Sequence, residues 1–142
     1  ILSVVQCSCV TVVIHPAPGT IVRVDLNDGF RAPEMVKRRP CIVLSPHIKG
    51  RDRLCAIVPL STLAPTTVHP HHMQVSFDPT LPAPYDSPVM WVKGDIVLTV
   101  GFHRLRLLFS GWEEGQRVYD VRVLEPDIFD QVRDCVRAGL GL

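Results

Sequence analysis

Three cations stand in a row, Lys37, Arg38 and Arg39, in the stretch MVKRRPCIVLSP (35–46), directly before Pro40 and an apolar run. A second apolar run, LCAIVPLS (54–61), ends on Ser61 and is followed by Thr62. A guanidinium is the side chain best matched to a phosphate, because its planar fork makes two parallel bonds. A hydroxyl can donate to a non-bridging oxygen as charge develops on it. If 40–45 and 54–60 pair as an antiparallel hairpin, the start of one strand lies beside the end of the other. Arg39 would then meet Ser61 and Thr62, with Glu34, Lys37 and Arg38 on the loop that leads in. That set suits an anion such as a phosphate, and for a basic loop the backbone of a nucleic acid is a leading candidate. The plainer reading is a solvated basic loop and a turn begun by Ser61 and Thr62.

The remaining reactive residue types are less suggestive. HPHH (69–72) has the look of a metal cluster, but Pro70 restricts it and no acid or cysteine accompanies it in the sequence, so a solvated loop and no metal are expected. His103 lies beside Arg104 and Arg106 and could contact a phosphate or donate a proton. The five cysteines are an odd number without a CxxC pair. Cys41 and Cys55 sit in apolar runs, where a thiol behaves as a small hydrophobe. Cys7 and Cys9 form a CxC with no second ligand pair at finger-like spacing. A reducing, cytoplasmic setting is the simplest expectation. No GxGxxG, P-loop or HExxH pattern occurs, so no nucleotide cofactor or zinc-protease chemistry is expected.

Charge is uneven even though the formal net charge is only +1. Residues 31–53 hold seven basic residues against Glu34 and Asp52, while residues 113–134 hold seven acids against three arginines. A basic segment in a balanced chain fits an anionic partner. The 142 residues suit one domain that buries about two-thirds of its unfolded surface.

These residues need elements to position them. Thirteen prolines fall mostly between apolar runs. TIVRVDL (20–26), PCIVLS (40–45), LCAIVPLS (54–61) and HMQVSF (72–77) read as strands. VMWVKGDIVLTV (89–100) reads as two strand pieces bent at Gly94. GFHRLRLL (101–108) fits a helical turn or a strand start, GWEEG a turn, and RVYDVRVL (117–124) one strand with Val118, Val121 and Val123 on its apolar side. DPTLPAPYDSP (78–88) is long enough to be mobile or to cover something. The start ILSVVQCSCVTVVI is too short to span a bilayer and alternates like a strand. The last segment is the one helix: Pro126 suits its first position and Asp127 and Asp130 the positive end of its dipole. Ile128, Phe129, Val132, Cys135 and Val136 recur at helical spacing, and Gly139 and Gly141 are expected to stop it. Short strands plus one terminal helix predict a mainly β (α+β) fold, a small twisted barrel or sandwich.

The ordered set GTIVRVDL, PEMVKRRPCIVLSP, LCAIVPLST and WVKGDIVLTVGFHRL, over residues 19–108, resembles the PemK/MazF family of toxins from type II toxin–antitoxin systems. The resemblance implies an SH3-like barrel of the CcdB/MazF type with a C-terminal helix over residues 19–142, preceded by an extension, 1–18. It implies a homodimeric, metal-independent endoribonuclease that acts on single-stranded RNA such as mRNA. The 2′-hydroxyl attacks the adjacent phosphorus and leaves a cyclic phosphate. A cognate antitoxin with an acidic segment would neutralise it, and no cofactor or membrane is implied. By position, Arg39 matches the family's catalytic arginine, Ser61 its catalytic threonine with Thr62 as neighbour, and Glu34 an acid of the same loop. Lys37, Arg38, His103 and Arg104 are candidates for holding RNA. Asp95 matches an aspartate for which a structural role is at least as fitting. Serine in place of threonine keeps the hydroxyl but loses the methyl that stiffens χ1. The proton acceptor stays open between Glu34, His103 and no side chain. Two other readings are a toxin-fold module that binds without cleaving and a CcdB-like gyrase poison.

Overall fold

A computed structural model describes residues 12–142. The strand expected over the first fourteen residues falls largely outside them; Val12 is buried, and Val13 and Ile14 are exposed.

The apolar runs become strands close to where their alternation places them. These are β1 (Thr20–Asp25), β2 (Arg38–Val43), β3 (Leu54–Ser61), β4 (His72–Ser76), β5 (Val89–Lys93) and β6 (Leu98–Gly101). A 3-10 turn at Phe102–Arg104 leads into β7 (Leu105–Arg106), so GFHRLRLL supplies both the turn and a strand. Then come β8 (Leu108–Glu113), β9 (Gln116–Asp120), β10 (Arg122–Val123) and the helix α1 (Pro126–Leu140).

All pairings in the main sheet are antiparallel, in the order β10-β1-β2-β3-β5-β4. β6 continues the line of β5 along the same strand, β3, and β7 runs beside β1. The sheet curls into a half-barrel, and α1 follows it. Both faces are buried. One carries Val22, Val24, Cys41, Cys55, Ile57 and Leu105, the other Ile21, Ile42, Val58, Leu60, Met90 and Val92. Strands buried on both sides read as near-continuous apolar runs, which is what PCIVLS and LCAIVPLS are.

Three expectations are corrected. RVYDVRVL is not one strand: β9 ends at Asp120, and Val121 and Val123 are 53% and 51% exposed, so the apolar side assigned to them does not exist. Asp120 instead holds Arg122 at 2.6 Å, which turns the chain between β9 and β10. GWEEG is mostly strand, and the turn is confined to Glu114 and Gly115, both at positive φ (50° and 76°) as a tight I′ hairpin requires. Gly139 does not stop the helix; Gly141, at φ 72°, does. Phe129, Val132 and Cys135 are buried at the expected spacing, with Pro126 in the first turn.

Candidate functional site

The site begins with the β2–β3 register. Cys41 pairs with Pro59, Ile42 with Val58 and Val43 with Ile57. Carried two residues further, the same register sets Arg39 across from Ser61. Side chains alternate along a strand, so Arg39 and Ser61 belong to the face that carries Cys41 and Val24. Arg39 is half-buried, and its Nε donates to Val36 O at 2.7 Å, which draws the guanidinium back along the incoming loop. Ser61 is buried, 7% exposed, and its Oγ accepts the Leu63 N–H at 3.1 Å. That bond is a Ser turn, and it fixes where the hydroxyl sits. Thr62 is exposed just past the strand end.

The loop residues are arranged differently from one another. Glu34 is exposed, and its Oε1 accepts the Arg31 N–H at 3.2 Å, closing its own turn. Among the described residues no hydrogen bond joins it to Arg39 or Ser61. Lys37 is exposed at φ 75°, and its carbonyl accepts the Leu26 N–H at 3.0 Å where the loop closes. Arg38 lies on the face opposite Arg39 and meets Asp25, its register partner, at 3.3 Å. The Asn27 N–H, and with it Arg38, holds the Asp25 carboxyl below its ordinary value against a desolvation penalty.

Arg104 stands beside the end of β1, and His103, in the same 3-10 turn, folds back on the end of β6. Arg104 Nη1 donates to Asp25 O at 3.0 Å, and its guanidinium covers the Phe30 ring at 4.8 Å. It therefore clamps the loop after β1. His103 is exposed, with its ring folded over Gly101, where an added Cβ would come within 2.6 Å of it.

Three residues that the sequence reading did not single out join this region. Arg23 pairs with Pro40 on one side and Arg106 on the other, so two arginines stand opposite each other next to the strand entrance. Arg23 Nε is buried without a hydrogen-bond partner among the described residues. Tyr85, from the proline-rich segment, donates its hydroxyl to Arg38 O at 3.3 Å. Burial raises its pKa, while the charges of Arg23, Arg38 and Arg39 act the other way, so the phenol stays a donor at neutral pH. The segment 78–88 therefore does cover something. Leu81 is fully buried, Tyr85 touches the strand entrance, and Arg122 donates to Pro79 O and to Thr80 O. The one visible signal was Arg23 itself, a cation interrupting an apolar strand.

The histidines also differ from expectation in one respect. The sequence near HPHH has no acid, but the fold brings Asp95 to it, with His71 Nε2 3.9 Å from Asp95 Oδ1.

Comparison with known proteins adds a family profile described as "PemK-like, MazF-like toxin of type II toxin-antitoxin system", which matches residues 17–140. Among curated proteins no sequence relative matches. Among solved structures, MazF from Deinococcus radiodurans superposes with a TM-score of 0.60 at 22% identity, over 89% of this chain and 97% of that one. An endoribonuclease in complex with its cognate antitoxin from a mycobacterial species gives 0.55 at 19% identity, over 90% and 97%. The MazE–MazF structure from D. radiodurans gives 0.53 at 22%, over 89% and 96%. At these identities the likeness is one of fold.

Proposed function

The chain belongs to the PemK/MazF toxin family, and on that premise we propose that it is a metal-independent endoribonuclease that cleaves single-stranded RNA. The observation that carries the reading is the β2–β3 register, which, carried two residues past its last pair, puts an anchored, half-buried guanidinium and a buried hydroxyl at neighbouring strand ends on one face. In the proposed reaction the substrate's 2′-oxygen bonds to the adjacent phosphorus and the bond from phosphorus to the 5′-oxygen breaks. The 2′-hydroxyl gives its proton to a side chain or to water, and the departing 5′-oxygen takes one from Arg39 or from water. Products are a cyclic phosphate and a free 5′-hydroxyl.

A guanidinium offers donors and no acceptor, so the role of Arg39 is to stabilise the charge that builds on the phosphorane rather than to act as base. Ser61 donates to a non-bridging oxygen, and Thr62 takes that part if the substrate sits one residue further out. Lys37 holds a neighbouring phosphate, and Arg23, on the opposite face beside Arg38, holds one on that side of the strand entrance. Arg38, already paired with Asp25, contributes less. His103 and Arg104 reach RNA from the 3-10 turn beside the end of β1, where Arg104 is engaged with Asp25 O. Glu34 or His103 accepts the proton, or no side chain does. A cognate antitoxin lays an acidic segment over the basic strand entrance, and the toxin acts as a homodimer in the cytoplasm. Among the described residues no helix is long and apolar enough to cross a membrane.

The test is purified protein and a long single-stranded RNA in EDTA. Cleavage to cyclic-phosphate ends is expected; intact RNA at micromolar protein would overturn the enzyme reading in favour of a binding module. Arg39→Ala should remove activity by about 10²-fold or more with the fold unchanged by circular dichroism. Ser61→Ala compared with Thr62→Ala tells which hydroxyl is used.

A further inference from the structure

We propose that His71, His72 and Asp95 bind a divalent transition-metal ion of the Zn²⁺, Co²⁺ or Ni²⁺ class, at a site separate from Arg39 and Ser61. One ring nitrogen from each histidine and one carboxylate oxygen all lie within 4.8 Å of one another. The rings of His71, in the turn, and His72, the first residue of β4, are 4.1 Å apart. Imidazole with carboxylate is a donor set for borderline ions rather than for calcium or magnesium. Bonds of about 2.1 Å to a tetrahedral ion put donors about 3.4 Å apart, so modest side-chain rotation closes the set. Water would complete the coordination.

The backbones beneath these donors are held in place. Gly94 N–H donates to His71 O at 2.8 Å, tying the two segments together directly before Asp95. Helix α1 presses on the same point: a Cβ on Gly139 would come within 2.7 Å of Asp95 Cα. His69 supports the cluster from outside, its ring stacked on His71 at 5.3 Å and 8°. Two features oppose binding and are small enough to be overcome. Lys93 stands opposite His72 in the β4–β5 register and adds a cation to that side. His72 Nδ1 accepts the His69 N–H at 3.1 Å. Ligation through Nε2 moves the ring proton to Nδ1 and hands that exposed N–H to water. The ion would then cross-link the turn before β4 to the turn after β5, stabilising the fold by mass action.

The test uses the untagged full chain with Cys7→Ser and Cys9→Ser, so that no thiolate pair competes, and titrates it with Co²⁺ followed by visible absorption. One ion per chain at micromolar affinity, with nitrogen–oxygen rather than thiolate bands, is expected. His71→Ala and Asp95→Asn should each weaken binding by about tenfold or more, and Zn²⁺ should raise Tm only where both are intact. His69→Ala should change affinity by less than about threefold. Absence of binding below millimolar Co²⁺ would overturn the proposal, as would binding that survives both substitutions in chains whose metal-free Tm is unchanged. Neither result bears on RNA cleavage, which is assayed in EDTA.

Discussion

Arg38 and Arg39 are adjacent, yet the pleat sends them to opposite faces, and this separates their chemistry. Arg38 meets a carboxylate at 3.3 Å, while among the described residues Arg39 meets a carbonyl through Nε and no carboxylate. Arg23 lies on the face of Arg38, opposite Pro40 in the register, and its buried Nε lacks a partner among the described residues. Binding of RNA should follow this difference. With a 2′-O-methyl oligonucleotide, which cannot cyclise, Arg23→Met should lower the slope of log affinity against log salt by about 0.7, one single-strand phosphate contact. Arg38→Met should lower it by less, because Asp25 already offsets that charge. An unchanged slope in Arg23→Met would remove Arg23 from the RNA path. The pairing of β2 with β3 was legible in the sequence because two apolar runs and one short loop suffice to count a register. The place of Tyr85 was not, since a contact across 47 positions, from a proline-rich segment to a strand carbonyl, leaves no local pattern.

Element boundaries followed the same logic. Burial on two faces demands apolar residues throughout and so marked β2 and β3, alternation and length marked β1, β4, β5 and β6, and helical spacing identified α1. The hairpin of β8 and β9 escaped because its turn uses Glu114 before Gly115 rather than Asn or Asp, the usual sign of a two-residue turn. Gly139 escaped for a different reason. Read locally, glycine near a helix end means a stop; in the fold it is the point where α1 touches the turn between β5 and β6. An added Cβ would lie 2.6 Å from Gly94 O and 2.7 Å from the Asp95 backbone. Two effects then compete in Gly139→Ala. Helix propensity favours alanine by about 1 kcal/mol. Overpacking against backbone, which cannot rotate away, costs about 1–3 kcal/mol. The second should win, so urea denaturation should give a net loss of stability. A net gain would mean that the helix does not press on that turn.

Across the whole molecule, one curled sheet separates two cores, and the thiols of Cys41 and Cys55 lie in the same one. Both are free and buried. Burial pushes the Cys55 thiol up to about 11, against a hydrogen bond with Ser45 that lowers it, and raises Cys41 strongly despite the charge of Arg39. A thiol whose pKa is higher folded than unfolded keeps its proton in the native state and loses it first in the unfolded chain. Its stabilising contribution is therefore whole below the unfolded value, 9.0, and is lost as pH rises from there toward the folded value. Each such thiol removes about 1.4 kcal/mol per pH unit across that window. Stability measured by denaturant at pH 8, 9 and 10 should fall along this limb. A Cys41→Val, Cys55→Val chain, with lysines and tyrosines unchanged, should fall less steeply between pH 9 and 10. The native protein should also leave both thiols unlabelled by iodoacetamide at pH 8 and expose them only on unfolding. Equal alkaline slopes in the two chains, or prompt labelling of the folded protein, would show that this core admits water and hydroxide.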